Sequence, residues 1–160
     1  ERLVGSEMCI RDRTLIKSGT EPNLTADQEE HFFTYSLYPH AGTWREAGTE
    51  QEALNLNVPA KAVAGAAEKD RMEFLSVDKR DVVLETVKKA EDGDGVIVRL
   101  YEVENARTKV TLHCAEAIAS AEETDLLENP IEGALGVKEN EIELTIKPYE
   151  IRTIRIRTAK

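Results

Sequence analysis

Thirty-one carboxylates, three histidines and two cysteines are the side chains of this 160-residue chain that can shuttle protons, bind a metal or act as nucleophiles. Hydrolysis by a carboxylate pair needs one group held as an acid and its partner as a base or nucleophile, in environments that push their pKa values apart. Pairs such as Asp125 with Glu128, or Glu102 with Glu104, come easily in so acidic a chain. None has the apolar, histidine-rich setting that would tune it, so these read as turn and surface residues. A metal centre calls for His-x-His or His-Glu-x-x-His spacing, and His31, His40 and His113 show neither. No Ser-His-Asp order and no glycine-rich phosphate loop is present. Cys9 and Cys114 lack a Cys-x-x-Cys spacing, and Cys114 falls at an inward position of an alternating strand, where it reads as a small buried hydrophobe. The expectation is a chain with no catalytic residue, no cofactor-binding residue and no metal ligand of its own.

The densest chemistry lies in one run. His31 to Trp44 holds five of the eight aromatic residues and two of the three histidines. It reads as a strand stopped by Pro39 and followed by a loop. Tyr38, His40 and Trp44 flank that loop and are the candidate contacts to a ligand or to a neighbouring domain. His40 also suits a simpler task, hydrogen bonding to loop backbone to hold the Pro39–Gly42 turn. Trp44 and Tyr38 have the flat faces that stack on sugar rings, but core or interdomain packing fits them better. Phe33, Tyr35 and Leu37 share one strand face, with Phe32 and Tyr38 on the other. A strand apolar on both faces is normally covered on both sides, so this one reads as the end of a larger sheet whose earlier strands lie elsewhere.

Around that run the elements are short. Thr14 to Lys17 reads as a strand fragment, and 18–23 as turn. Thr43 with Glu46, and Thr49 with Glu52, are capping patterns, the second preceding a short helix near 50–56. Pro59 to Ala67 is rich in alanine and poor in large apolar groups, which suits a boundary. Beyond Met72 the pattern turns to strands at Met72–Val77 and Val82–Val87. A hairpin follows at Asp92-Gly93-Asp94-Gly95, where Asp-Gly supplies positive φ. Val96, Val98 and Leu100 alternate, as do Val110, Leu112 and Cys114, and Glu141 to Lys147 alternates without a break. Tyr149, Ile151, Ile154 and Ile156 change parity once, which predicts a bulge in the last strand. Such spacing predicts an all-β fold, an antiparallel β-sandwich preceded by a partial strand and short-helix segment of a larger β-domain.

Composition excludes some functions. A net charge of −10 argues against nucleic acid and anionic membranes as partners, since both need a basic face. No apolar run approaches the roughly eighteen residues of a membrane span, and no secretory h-region opens the chain, so a cytoplasmic protein is expected. Asn23-Leu24-Thr25 matches a glycosylation acceptor but is not expected to be used in that setting. Residues 116–143 hold nine acidic side chains and one lysine, and the last fourteen hold five basic ones and one glutamate. A solvated loop beside a strand with basic outward positions is the expectation, an electrostatic interface the alternative.

Several blocks together carry a resemblance. They are Leu15 to Pro22, the run Phe33-Thr34-Tyr35-Ser36-Leu37-Tyr38-Pro39-His40-Ala41-Gly42-Thr43-Trp44, Leu56 to Pro59, Val82 to Asp92, Val98 to Glu102, Asp125 to Glu128 and Pro148 to Thr153. In these the chain resembles the C-terminal β-sandwich region of the glycoside hydrolase family 38 α-mannosidases, in their cytosolic and bacterial branch. Residues 1–13 fall outside it, look like a translated sequencing adaptor, and are read as a non-native or disordered leader. The resemblance implies that 14–66 closes a large central β-domain, 67–71 is a linker, and 72–158 is the terminal sandwich.

The resemblance also implies a function for the whole: a retaining α-mannosidase that hydrolyses terminal α-D-mannosyl residues. Its zinc or other divalent metal and its catalytic acids belong to an N-terminal α/β domain followed by a helical bundle. No position here matches those motifs, so this chain alone is expected to be inactive and to support the catalytic domain. Its partners would be the N-terminal catalytic and helical domains of the same polypeptide, with the α-mannoside as substrate of the whole. A free-standing carbohydrate-binding or interaction module is the alternative, and an oligomerisation domain built on Phe32 to Tyr38 a third.

Overall fold

Alternating apolar residues dictate two antiparallel sheets packed face to face. The computed structural model describes residues 15–66 and 69–159. Among the described residues one helix, α1 (Thr49–Asn57), precedes nine strands: β1 (Leu75–Val77), β2 (Val82–Lys89), β3 (Val96–Glu102), β4 (Thr108–Cys114), β5 (Ile118–Thr124), β6 (Pro130–Ala134), β7 (Val137–Lys138), β8 (Glu141–Ile146) and β9 (Ile151–Thr158). The four-stranded sheet runs β1-β4-β8-β7 and the five-stranded sheet β2-β3-β9-β5-β6. Inward residues of the first, including Val110, Leu112, Cys114, Ile142, Leu144 and Ile146, meet Val98, Leu100, Ala121, Ile154 and Ile156 of the second in one buried cluster. Burying this apolar surface is the main drive to fold, and the period of two assigns each residue its face.

The Asp92–Gly95 hairpin forms as its sequence demands. Gly93 and Gly95 take φ of 82° and 92°. A Cβ on Gly95 would lie 2.6 Å from the Ile156 carbonyl oxygen, so the turn needs both the left-handed backbone and the missing side chain. Of the strand expected over Met72–Val77, only Leu75–Val77 forms, because only those residues find partners on β4. β2 runs on to Lys89, with an irregularity between Leu84 and Thr86.

Three expectations are corrected. The acidic stretch is not a loop, since it contains β5, β6, β7 and the start of β8. Its carboxylates lie beside the arginines of β9: on the outer face Arg157 Nη2 is 3.0 Å from Glu122 Oε1, and on the other face Arg152 pairs with Glu123. The opposed charges of the two segments neutralise each other inside one sheet, which charge counting along the sequence does not reveal. The last strand has no bulge against β3, for their register is unbroken from Val96↔Ile156 to Tyr101↔Ile151. Parity changes there because Ile151 faces outward opposite Tyr101 while Ile154 and Ile156 face the core. Finally, α1 has no side-chain cap from Thr49; its N-cap is Gly48 at φ 65°.

The aromatic run forms no strand. Residues 15–20 and 29–40 carry no helix or strand, and Phe32 and Leu37 are each 86% exposed. Aromatic propensity alone cannot make a strand, because the ladder needs a neighbour to bond with. The chain divides into two units, one ending at Leu37 and the other running from Tyr38. In the first, Asn23 Oδ1 accepts the Thr25 N–H at 3.1 Å and His31 Nε2 lies 2.9 Å from the Asp27 carbonyl. Thr14, the leader 1–13 with Cys9, and residues 67–68 of the expected linker lie outside the described residues.

Candidate functional site

Pro39 and Gly42 (φ 72°) shape the loop that carries the three sequence-selected residues. Tyr38 and His40 come together, their rings 5.5 Å apart and tilted by 41°. The Tyr38 hydroxyl donates to the Ala47 carbonyl at 3.3 Å, and His40 Nδ1 lies 3.3 Å from the Ala41 carbonyl. Trp44 stacks beneath the Arg45 guanidinium, whose carbon sits 4.6 Å from the ring centroid. Thr43 and Glu46 form the expected reciprocal box: the Thr43 N–H donates to Glu46 Oε2 at 2.7 Å, and the Glu46 N–H to Thr43 Oγ1 at 3.3 Å. These bonds from Thr43, backbone first and hydroxyl second, hold the Glu46 carboxyl below its usual range. The result is a loop tied by its own hydrogen bonds, with partly exposed rings and no convergent set of reactive groups.

Of the two carboxylate pairs weighed in the sequence, Glu102, Asp125 and Glu128 hold backbone N–H groups, and Glu104 faces Arg80 at 3.5 Å. Glu102 is not a surface residue; it is 2% exposed. Its Oε1 accepts N–H groups from Glu104 at 2.7 Å and Ala106 at 3.0 Å, and its Oε2 accepts that of Tyr149 at 2.9 Å. Burial pushes this carboxyl up, but the N–H groups of Tyr149, Ala106, Glu104 and Asn105 together bring it below its ordinary value. Glu102 therefore stays ionised and pins the β3–β4 turn to the β8–β9 turn. Sequence reasoning missed it, although an acidic residue at an inward position of the Val98, Leu100 parity was a signal.

Glu128 is buried too, and is likewise no surface residue. It receives Lys88 Nζ at 2.7 Å and the Glu91 N–H at 2.8 Å, and the lysine first, then that amide, lower its carboxyl. Asp125 collects Asn129 and the Leu127 N–H in the same turn, and the Asn129 side chain is the main cause of its lowered carboxyl. Nearby, Arg155 reaches Asp92 Oδ2 at 2.6 Å and the Glu128 carbonyl at 3.3 Å. Every acid in this cluster is already committed to a cation or an amide. Among the described residues no three histidine, cysteine, aspartate or glutamate side chains converge as metal ligands. The one close histidine–carboxylate contact among them, His113 Nδ1 to Glu141 Oε1 at 3.2 Å, lies on the outward side of β4 and β8. Cys114 is free and buried.

What remains is a β-sandwich with tightly tied turns, and its sequence is diagnostic. Residues 81–154 match the family model described as the glycosyl hydrolases family 38 C-terminal beta sandwich domain. The sandwich belongs to glycosyl hydrolase family 38. Three relatives extend the family 38 similarity over most of the chain. Alpha-mannosidase 2C1 of Mus musculus is 36% identical over 148 residues, 88% of this chain. Alpha-mannosidase 2C1 of Homo sapiens is 34% identical over 151 residues, 91% of the chain. Alpha-mannosidase G of Dictyostelium discoideum is 32% identical over 153 residues, 89% of the chain. The chain spans 14% of the length of each. No described helix of this chain is long and apolar enough to cross a membrane.

Proposed function

We propose that this chain is the C-terminal part of a retaining, metal-dependent α-mannosidase, and that it supports the catalytic domain without supplying catalytic side chains. The observation that carries this reading is the alignment of 88–91% of the chain with proteins named alpha-mannosidases of which it spans only 14%. Every titratable cluster described above supports it, because each carboxylate is engaged in holding a turn or a strand pair. The described residues do not fit a zinc ion, lacking a three-donor group, so the divalent metal belongs in this reading to the preceding catalytic domain. The cytoplasmic placement and the α-mannoside substrate follow from the same resemblance.

In this reading 14–66 closes a central β-domain, 67–71 links, and 72–158 is the terminal sandwich. Phe32 to Tyr38 would gain strand partners from the preceding polypeptide. Tyr38, His40 and Trp44 would be interdomain contacts. A free-standing carbohydrate-binding module is the second reading, favoured by the partly exposed rings of Tyr38 and Trp44. An aryl α-mannoside assay separates the two. The isolated chain should show no turnover with or without added zinc, while the longer polypeptide ending in this chain should be active. Turnover by the isolated chain, or an inactive longer polypeptide, would refute the assignment.

A further inference from the structure

Lys147-Pro148-Tyr149-Glu150 closes a turn in which the Glu150 N–H donates to the Lys147 carbonyl at 3.1 Å. Proline at the second position is ordinary for such turns. The third position, when left-handed, is the place of glycine or asparagine. Here it holds Tyr149, at φ +55°. A bulky aromatic residue disfavours that backbone, and folding alone would be better served by glycine. The fold nevertheless holds Tyr149 there by force of bonding: its N–H goes to the buried Glu102 carboxylate at 2.9 Å, and the Glu150 carboxylate takes the Lys147 N–H at 2.7 Å. Yet the side chain is 60% exposed, so the core does not use it.

Its surroundings show what the ring is for. Tyr149 borders a cleft of about 470 Å³ with Tyr101, Val103 and Ile151, and with Glu50 of α1 on the rim. Tyr101 stands opposite Ile151 on β9 and Val83 on β2, so an apolar row crosses three strands on the outer face of the five-stranded sheet. Farther along that face the residues are ion-paired, Arg155 with Asp92 and Arg157 with Asp94 and Glu122. The outer face of the other sheet carries Lys109, Glu143, His113 and Glu141. Tyr101, Tyr149 and Ile151 thus form one apolar patch at a corner of this sheet, beside the helix through which the chain enters the sandwich, while the exposed Val87 and Ile131 lie outside that row. Concentrated patches of that kind mark contact sites. The Glu102 carboxylate inside the cleft is saturated by backbone N–H groups and is not free to hold a sugar hydroxyl.

We propose that Tyr149, with Tyr101 and Ile151, is the surface on which the sandwich seats the preceding part of its own longer polypeptide. The occupant is an apolar segment with a basic residue facing Glu50. The proposal rests on the reading that the chain is one part of a longer α-mannosidase, and the share of the relatives that it spans argues for that occupant over an outside protein.

The test uses the longer polypeptide ending in this chain, carrying Tyr149→Gly or Tyr149→Phe. If the tyrosine serves only the turn, glycine relieves the backbone and the first thermal unfolding midpoint rises or stays. If the ring is a docking group, Tyr149→Gly lowers that midpoint by several degrees, and limited proteolysis frees the sandwich about tenfold faster because its undocked population grows. Tyr149→Phe should behave as wild type. A raised or unchanged midpoint with unchanged proteolysis overturns the proposal. So does a change confined to a dimer–monomer equilibrium, which would make a second copy the occupant, or one confined to KM for an aryl α-mannoside, which would make it a sugar. An inactive wild-type polypeptide would sink the enzymatic reading while leaving the docking measurement intact.

Discussion

Lys88 Nζ stands 2.7 Å from Glu128 Oε1, joining the end of β2 to the turn between β5 and β6. The other carboxylate oxygen takes the Glu91 N–H, so one side chain fastens two loops over the outer face. Ile97 is on that face by parity yet wholly buried; its register neighbours are Lys88 and Arg155, whose aliphatic stems suit it as cover. Glu128→Ala should speed amide exchange at Glu91 and across 125–129, and Glu128→Gln, which keeps an acceptor, should do so less. Unaltered exchange at Glu91 in the alanine variant would show that the clamp does not hold the turn.

Acid should unfold this chain in a way that Glu102 controls. Its folded carboxyl lies below the ordinary value, as do those of Glu128, Asp125 and Asp92. Depressed carboxyls give stability that is complete above the unfolded pKa, about 4 for these groups, and is lost as pH falls through the folded one. Stability should therefore drop below about pH 5. Glu102→Gln should be less stable at neutral pH and show a shallower fall in acid. Denaturant titrations from pH 7 to 3 check this, and equal slopes for both proteins would rule it out.

Leu144 is 4% exposed and lies inward on β8. Leu144→Asp places an unpaired charge in the cluster and should cost about 4 kcal/mol or more, enough to unfold a marginal domain. A melting curve little different from wild type would mean the face is misassigned.

Hydrogen exchange should separate the two regions of the chain. Strand-paired amides over 82–156 should exchange far more slowly than those over 15–66, whose residues have one short helix and no ladder. In the longer polypeptide, protection should also appear across Phe32 to Tyr38 as strands pair with it. Comparable protection of both regions in the isolated chain would contradict this division.

The alternation of Val96 to Leu100, Val110 to Cys114 and Glu141 to Ile146 placed these strands and their inward faces from sequence alone, because period two is a local property. Strands β5 to β7 were not legible. Ile118 to Thr124 holds small and acidic residues whose strand character comes from pairing with the arginines of β9, a relation between distant segments. The aromatic run failed in the opposite sense: its residues favour strand, but none of the described residues pairs with it. The candidate residues Tyr38, His40 and Trp44 were chosen on type. Glu102 was legible only through its inward parity after Val98 and Leu100, and Tyr149 not at all, because backbone sign cannot be read from residue type.

The close passage of Gly95 beneath the Ile156 carbonyl bears on engineering. A peptide epitope or affinity handle grafted into the β2–β3 hairpin would displace the one contact there that admits no side chain, and would strip β9 of its register partner. The exposed tip at Leu126 and Leu127, whose flanking backbone is tied by Asp125, is the place where such cargo leaves the ladder undisturbed.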